Sequence, residues 1–264
     1  MTPAIRPATP TTPSGQQRIG EPMYTLTDVT KTYRKGHHSV TALEDLNLLI
    51  AQGEWLAVQG RTGSGKTTLL QLLGALDHPS SGVINFGGRD LARLPEADLT
   101  EVRAASIGFV FQTFNLIPTL SAQENVEVAL IPQGLSADQR RERAAEALAS
   151  VGLAERASHL PSEMSGGQQQ RVGIARALVK APRVLLADEP TGNLDVDTRD
   201  EIIALLEALW RDRGLTLVLV THDTSIARRA QRVATMHDGH LSIATDEQAQ
   251  PDPASGGRNR PGRQ

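Results

Sequence analysis

Cysteine is absent from the 264 residues, so disulfide bonds, thiolate metal sites and cysteine nucleophiles are all excluded. Charge of one sign is not in large excess either, because 27 Lys and Arg oppose 30 Asp and Glu. The net charge of -3 gives no general attraction to nucleic acid or anionic lipid, and we expect no nucleic-acid partner. No apolar run approaches the roughly 18 residues of a membrane span, and the N-terminus lacks a signal-peptide pattern. We therefore expect a soluble, cytosolic protein.

The two ends of the chain differ in composition from the rest. Residues 1–22 contain five prolines and four threonines, and residues 247–264 contain three prolines, three glycines and three arginines. Such segments bury too little apolar surface to offset the entropy of ordering, so both are predicted to be disordered tails. The cluster of Arg258, Arg260 and Arg263 could contact acidic headgroups or RNA, but a solvated tail is the more common meaning of such a run.

Residues 23–246 alternate between short apolar runs and longer amphipathic ones. Continuous runs such as VLLA and LTLVLV are typical of strands buried on both faces of a largely parallel sheet. Strands are predicted at Tyr24–Val29, Leu43–Ile50, Trp55–Gln59, Ile107–Phe111, Arg183–Ala187, Leu215–Val220 and Val233–Asp238. Helices are predicted at Lys66–Gly74, Gln123–Ala129, Ala137–Val151, Gly166–Lys180 and Thr198–Arg213. The pattern indicates an α/β core interrupted by a helical insertion at about residues 113–180.

A phosphate-binding loop is the clearest motif in the sequence. Residues 60–67 read GRTGSGKT, lie between an apolar strand and a helix-forming run, and match G-x-x-x-x-G-K-[ST]. That context aims backbone N–H groups and a helix N-terminus at phosphate oxygens. Lys66 is expected to reach the β- and γ-phosphates and the Thr67 hydroxyl to ligate Mg²⁺, whereas an ordinary glycine-rich turn with an exposed lysine is the alternative.

Two acids follow the apolar run VLLA. Asp188 and Glu189 come at the carboxyl end of a predicted buried strand, which is where α/β sheets bind ligands. Alone, such a pair is usually a helix cap or surface charge. Beside a phosphate-binding loop, Asp188 is expected to hold Mg²⁺ through water and Glu189 to orient or deprotonate the attacking water.

The segment SGGQQQR, residues 165–171, opens a predicted helix. Ser165 is a good N-cap, whereas two glycines give little helical stability at a helix start. The glycines would instead let backbone N–H groups approach an anion closely. This motif is weak alone, and it gains weight because it follows a phosphate-binding loop in the same chain.

Taken in order, these motifs resemble those of the nucleotide-binding subunits of ABC transporters across essentially the whole of residues 23–246. The likeness also covers PTGNLD (Pro190–Asp195), Gln112 after a strand, and His222 in LVTHD. It implies a P-loop NTPase (RecA-like) core with an antiparallel β subdomain and an inserted helical subdomain, binding ATP and Mg²⁺.

The resemblance also implies roles for single residues. Tyr33 would stack on adenine, Gln112 would sense Mg²⁺ and the γ-phosphate, His222 would contact the γ-phosphate, and Asp195 would act across a subunit interface. The catalytic set is Glu189, His222 and Gln112, and the metal set is Thr67, Gln112 and Asp188. The nucleotide-binding set is Tyr33, Gly60, Arg61, Thr62, Gly63, Ser64, Gly65, Lys66, Thr67, Thr68, Ser165, Gly166, Gly167, Gln168 and Asp195. Taken singly, Tyr33 could be edge packing, Gln112 a surface amide and His222 a strand-end cap.

The segment FQTFNLIPTLSAQENV (Phe111–Val126) and LPSEMSGGQQQR are similar to the branch containing macrolide-exporter, lipoprotein-release and cell-division ATPases. The sequence departs from that branch at Arg61–Thr62, where Pro-Ser is usual, and at Met164, where leucine is usual. The branch implies export, or extraction of a membrane-associated or hydrophobic substrate, by a separate integral membrane permease at the inner face of the cell membrane. Contact with that permease is expected near Phe114–Glu124, where an apolar set could equally be ordinary core.

In such a fold the phosphate-binding loop and the SGGQ segment of one chain lie too far apart to contact the same nucleotide. A head-to-tail pair of copies solves this, with each ATP between one loop and the partner's SGGQ. An importer ATPase is the main alternative, followed by a soluble non-transport ABC ATPase. A small-molecule kinase would not need SGGQ, and a GTPase would need an Asn-Lys-x-Asp segment that this sequence lacks.

Overall fold

A computed structural model describes residues 21–36 and 38–243 of the protein. Residues 1–20 of the predicted N-terminal tail, and the whole C-terminal tail with its three arginines, lie outside the described residues. The first strand begins at Pro22, the last residue of the expected tail. The strands are β1 Pro22–Lys35, β2 His38–Ala51, β3 Trp55–Gly60, β4 Ser81–Phe86, β5 Arg89–Asp90, β6 Ile107–Val110, β7 Val184–Asp188, β8 Thr216–Thr221, β9 Arg232–His237 and β10 His240–Ile243. The helices are α1 Lys66–Leu73, α2 Glu96–Ser106, α3 Ala122–Glu127, α4 Ala137–Ser150, α5 Gly166–Leu178, α6 Val196–Arg213 and α7 Thr224–Ala227.

A six-stranded sheet forms the centre of the protein, with the order β10-β9-β3-β8-β7-β6. The strands from β9 to β6 run parallel to their neighbours, and only the edge strand β10 pairs antiparallel. All six residues of β8 are buried, which confirms that the run LTLVLV marks a strand covered on both faces. Because β3, β6, β7 and β8 are parallel, the segments that follow them leave the sheet at the same edge.

Alternate residues of the central strands enter two different cores. Leu56, Val58 and Val218 pack with α1 and with a four-stranded antiparallel sheet of order β2-β1-β4-β5. Leu185 and Leu217 face the opposite way and pack with α4, α5 and α6. The predicted architecture, an α/β core with an antiparallel β part and inserted helices, is confirmed.

Helices α3, α4 and α5 lie between β6 and β7, and each begins with a serine N-cap. The hydroxyls of Ser121, Ser136 and Ser165 accept hydrogen bonds from the backbone three residues on, and the Glu or Gln at that position bonds back to the serine backbone. These reciprocal bonds set the first turn of each helix. No helix in the described part of the chain is long and apolar enough to cross a membrane.

Several elements were not predicted. Strands β4, β5 and β10 are short and mostly exposed, so they lack a long apolar run. Helix α2 buries only Leu99 and Val102 of its eleven residues, so its hydrophobic residues show only a weak helical periodicity. Helix α3 ends at Glu127 rather than Ala129, because the chain continues as a 3₁₀ turn over Val128–Gln133 that contains Pro132.

Candidate active site

A cavity of about 550 Å³ opens at the edge of the sheet where the parallel strands end. Its walls come from the β3–α1 loop and from the segments after β6, β7 and β8, with one residue from β2. The lining residues are Ala42, Thr62, Gly63, Gly65, Lys66, Thr67, Thr68, Gln112, Asp188, Glu189 and His222. The structure therefore brings together residues that are up to 180 positions apart, counting from Ala42 to His222.

The glycines of the β3–α1 loop hold positions that other residues would not fit. Gly65 has a φ of 107°, and a side chain there would collide with the Ala42 carbonyl oxygen. At Gly60 a side chain would collide with the Met236 carbonyl oxygen. The loop thus lies close against two other strands, and its backbone turns directly into the eight-residue helix α1.

Lys66 is buried at the floor of this loop. Its Nζ atom donates hydrogen bonds to the carbonyl oxygens of Gly60, at 2.9 Å, and Arg61, at 2.8 Å. The lysine thereby holds the loop in a curve around its own ammonium group. Gly60, Arg61 and Ser64 belong to the loop but do not line the cavity. The Ser64 hydroxyl is buried and has no hydrogen-bond partner among the described residues.

Thr67 and Asp188 face each other across the cavity floor. The Thr67 hydroxyl donates to Asp188 Oδ1 at 3.4 Å. Burial raises the pKa of Asp188 from its usual value, the Thr67 hydrogen bond lowers it, and the neighbouring Glu189 carboxylate raises it further. The pair presents two oxygen atoms next to the loop.

Glu189 lies in a tight turn directly after β7. Its φ of 42° is in the left-handed region that non-glycine residues rarely adopt. Its backbone N–H donates to Val220 O at 3.0 Å, and its carbonyl accepts from Gly192 N at 3.0 Å. The His222 Nδ1 atom lies 2.8 Å from Glu189 Oε2, so the side chains at the ends of β7 and β8 are joined.

Gln112 reaches the cavity from the segment after β6. Its Nε2 donates to Asn193 Oδ1 at 3.4 Å, and Asn193 Nδ2 donates back to the Gln112 carbonyl at 3.1 Å. A Cβ atom at Gly192 would lie 2.6 Å from Gln112 Nε2, so a larger residue there would displace the Gln112 side chain. Asn193 was not singled out from the sequence, although it lies inside the PTGNLD segment.

Tyr33 lies beside the cavity but does not line it. Its ring is 40% exposed, and its hydroxyl donates to Asp77 Oδ2 at 3.0 Å. Asp77 also accepts from Lys31 Nζ at 2.6 Å, and that ammonium group lies 4.9 Å from the centre of the Tyr33 ring. Sequence reasoning missed the contacts of Asp77 with Tyr33 and Lys31. Asp77 is 44 positions from Tyr33 and 46 from Lys31, so no local pattern links them.

Ser165–Gln168 and Asp195 do not line the cavity in the single chain. Ser165 caps α5, and a side chain at Gly167 would collide with Thr198. Asp195 caps α6, accepting from Thr198 N at 3.0 Å and from the Thr198 hydroxyl at 2.8 Å. These hydrogen bonds hold the pKa of Asp195 below its usual value. In the single chain, both segments therefore present helix starts outside the cavity.

Comparison with known proteins identifies the family. The family model described as ABC transporter matches residues 43–192. The ATP-binding protein YvrO of Bacillus subtilis is 46% identical over 84% of this chain and 96% of its own length. The lipoprotein-releasing system ATP-binding protein LolD of Geobacter metallireducens is 49% identical over 81% of this chain and 95% of its own.

Longer relatives and solved structures agree. The macrolide export ATP-binding/permease protein MacB of Rhodopseudomonas palustris is 49% identical over 81% of this chain, which spans 32% of that protein. A solved dimeric, post-hydrolysis structure of the ATP-binding cassette MJ0796 with ADP and Pi has a TM-score of 0.77 and 44% identity, covering 83% of this chain and 96% of that one. The motif resemblance is confirmed, and the chain belongs to the ABC transporter family as an ATP-binding protein.

Proposed function

We propose that this ATPase works as a head-to-tail pair around two Mg·ATP molecules and drives a separate membrane permease of the lipoprotein-release and macrolide-export type. The observation that carries the proposal is the cavity in which Lys66, Asp188, Glu189 and His222 meet at one edge of the sheet. ATP binding and hydrolysis follow from the family. The roles of single residues, Mg²⁺, the pair and the permease are the proposed part.

The phosphate-binding loop holds the triphosphate. Lys66 already binds two carbonyl oxygens of the loop through its ammonium group, so its charge is fixed where the β- and γ-phosphates would lie. The backbone N–H groups of residues 63–68 and the start of α1 add further donors. Tyr33, beside Thr68, supplies an aromatic face for adenine at the mouth of the cavity.

Thr67, Asp188 and Gln112 fit a magnesium ion. Hydroxyl, carboxylate and amide oxygens are hard ligands of the kind that Mg²⁺ prefers, and the Thr67 and Asp188 oxygens already lie 3.4 Å apart. When bound, the ion would neutralise charge on the phosphate oxygens.

Glu189 is the residue placed to act on water. Its carboxylate is mostly buried at the cavity wall and is held through Oε2 by His222. A carboxylate in this place can accept a proton from water as water attacks the γ-phosphate. As an imidazolium, His222 donates through Nδ1 to that carboxylate and can donate through Nε2 to a phosphate oxygen.

A second copy would complete the site. Ser165 is exposed at the start of α5, and Gly166 beside it is half-buried and has no side chain to cover its backbone N–H group. Since this segment does not reach its own chain's cavity, its anion-binding geometry suits the γ-phosphate of a partner's ATP. The dimeric state of the MJ0796 cassette supports the pair.

The segment Phe114–Glu124 is proposed as the permease contact at the inner face of the membrane. Ile117 within it is 42% exposed, and Leu160 nearby in the same helical region is 37% exposed. The names of the LolD and MacB relatives support release or export from the membrane as the transport activity.

The test is to co-express the tagged full chain with candidate permeases. The control is Val83→Asp, because Val83 on β4 is exposed to a similar extent, at 38%. Membrane co-purification that is lost in Ile117→Asp but kept in Val83→Asp would support the contact. Equal recovery of both variants would argue against it.

A further inference from the structure

Gln170, in the second turn of α5, is a fully buried amide that the site described above does not use. Its Nε2 atom donates to the Pro190 carbonyl oxygen at 2.6 Å and lies 3.3 Å from the Phe111 carbonyl oxygen. Pro190 directly follows Glu189, and Phe111 directly precedes Gln112. One side chain thus ties together the two backbone segments that carry cavity residues from β6 and β7.

The turn that Gln170 holds is strained. Glu189 has a φ of 42°, and a non-glycine residue persists in the left-handed region only where its surroundings fix it. The bonds from Glu189 N to Val220 O and from Gly192 N to Glu189 O fix the two ends of the turn. Gln170 fixes the peptide between them, at the Pro190 carbonyl. Without that bond, the Pro190–Thr191 peptide can rotate, and the turn can relax at Glu189 and carry the carboxylate away from its bond with His222.

Burial of the Gln170 side chain costs free energy, because one of its polar atoms is unpaired. Its Oε1 atom is buried and has no hydrogen-bond partner among the described residues. A buried, unpaired acceptor is unfavourable, and an apolar side chain of similar size would not create one. The two bonds that the amide donates are the gain that offsets this cost, and both end beside cavity residues.

We propose that Gln170 is a positioning residue that holds the strained Glu189 turn in its catalytic geometry. The proposal rests on the proposed role of Glu189 in activating water. Gln170 touches neither nucleotide nor water, so its effect reaches the reaction through the Pro190 peptide. Since Lys66, Thr67 and Tyr33 lie on other elements, binding of the nucleotide to the phosphate-binding loop of the same chain should not depend on it.

The test compares Gln170→Met with the wild-type full chain in ATP hydrolysis and ATP binding. Methionine keeps the volume but donates no hydrogen bond. A small misplacement of a reacting group costs up to about 100-fold in rate, so kcat should fall by about 10- to 100-fold while KM for ATP stays within about threefold. Gln170→Ala repeats the measurement should the Met variant fold poorly.

Asn125→Ala is the control for the loss of a buried amide, because Asn125 is equally buried but holds the Ile117–Ser121 segment. It should lower Tm with kcat per folded protein within about twofold.

A double-mutant cycle separates positioning from a general structural effect. If Gln170 acts through the Glu189 carboxylate, Gln170→Met should cost little further rate in the Glu189→Gln background. The same fold loss in both backgrounds, a kcat within twofold of wild type, or a rise in KM that matches the fall in kcat would each overturn the proposal. A near-normal rate in Glu189→Gln alone would instead overturn the assignment of Glu189, and that result comes from a variant in which Gln170 is intact.

Discussion

His222 Nδ1 and Glu189 Oε2 lie 2.8 Å apart, joining the ends of the neighbouring strands β7 and β8. The Glu189 side chain is 18% exposed and that of His222 is 63% exposed, so the histidine covers the carboxylate from the solvent side. A carboxylate held in this way has one oxygen bound and one facing the cavity. The pair should therefore act as a unit, and loss of either member should weaken the other.

Glu189→Gln should lower the ATPase rate by about 10²- to 10⁴-fold, because the amide keeps the volume but cannot accept a proton. ATP binding should survive, since Lys66, Thr67 and Asp188 remain. With bound ATP no longer hydrolysed, the variant should pass from monomer to a long-lived dimer on size exclusion, whereas wild type dimerises transiently. An inactive variant that stays monomeric with ATP would contradict the two-copy site while leaving the carboxylate assignment in place.

Lys66→Ala should weaken ATP binding by about 10- to 100-fold, the loss of one or two hydrogen bonds from a charged donor, and should abolish turnover. The variant also removes the bonds to Gly60 O and Arg61 O, so the loop should loosen before any nucleotide arrives. Titration with a fluorescent ATP analogue measures the affinity. Arg93→Ala removes an exposed positive charge and should leave that affinity unchanged. Normal activity in Lys66→Ala would contradict the assignment of the loop.

Tyr33→Ala should weaken ATP binding by about tenfold, the typical contribution of stacking between a base and an aromatic ring. Binding of inorganic triphosphate, which has no base, should be unchanged. Competition of each compound against a labelled nucleotide gives both values from one assay. Equal weakening of both compounds would mean that Tyr33 supports the phosphate-binding loop rather than the base.

The fold class was predicted from the sequence, and so was the meeting of the loop motif with the acidic pair, whereas the contacts around them were not. The spacing of GRTGSGKT and the apolar run before Asp188 are local patterns, and each places a side chain at the end of a parallel strand. The contacts of Tyr33 with Asp77 and of Gln112 with Asn193 cross 44 and 81 positions, so no local pattern encodes them. Helix α2 and strand β4 were missed for a different reason, because they bury few side chains and so carry little periodicity.

Ser165→Arg should leave nucleotide binding to the single chain unchanged, because Ser165 does not line that chain's cavity. It should block the ATP-dependent dimer of the Glu189→Gln variant, since a large side chain would replace a small cap where a partner's γ-phosphate must approach. Arginine also cannot accept the hydrogen bond from Gln168 N, so Ser165→Ala is needed to measure the loss of the cap alone. A dimer that forms normally in Ser165→Arg would count against the shared site.

Asp195 combines a cap with a proposed contact across the interface, and two variants separate them. Asp195→Ala removes the cap of α6 and should lower Tm by about 2–4 °C. Asp195→Ser keeps the cap and should restore Tm, yet it removes the charge and should still impair the dimer. Because the pKa of Asp195 is lowered in the folded state, its stabilising effect is full above the unfolded-state pKa and is lost as pH falls through the folded value. The Tm difference between wild type and Asp195→Ala should therefore shrink in acid. A difference that does not depend on pH would contradict the carboxylate cap.

The strand order β9-β3-β8-β7-β6 also has a consequence for the newly made chain on the ribosome. Strand β8 separates β3, which leads into the phosphate-binding loop, from β7, which leads to Asp188 and Glu189. Until Thr216–Thr221 has been synthesised, the strand that pairs with both β3 and β7 is missing, so the two halves of the cavity lack their common neighbour in the sheet. A nascent chain that stops before β8 would carry the whole loop motif, the acidic pair and SGGQ, and would still have no nucleotide pocket. Capture of ATP should thus begin only after β8 has emerged from the ribosome.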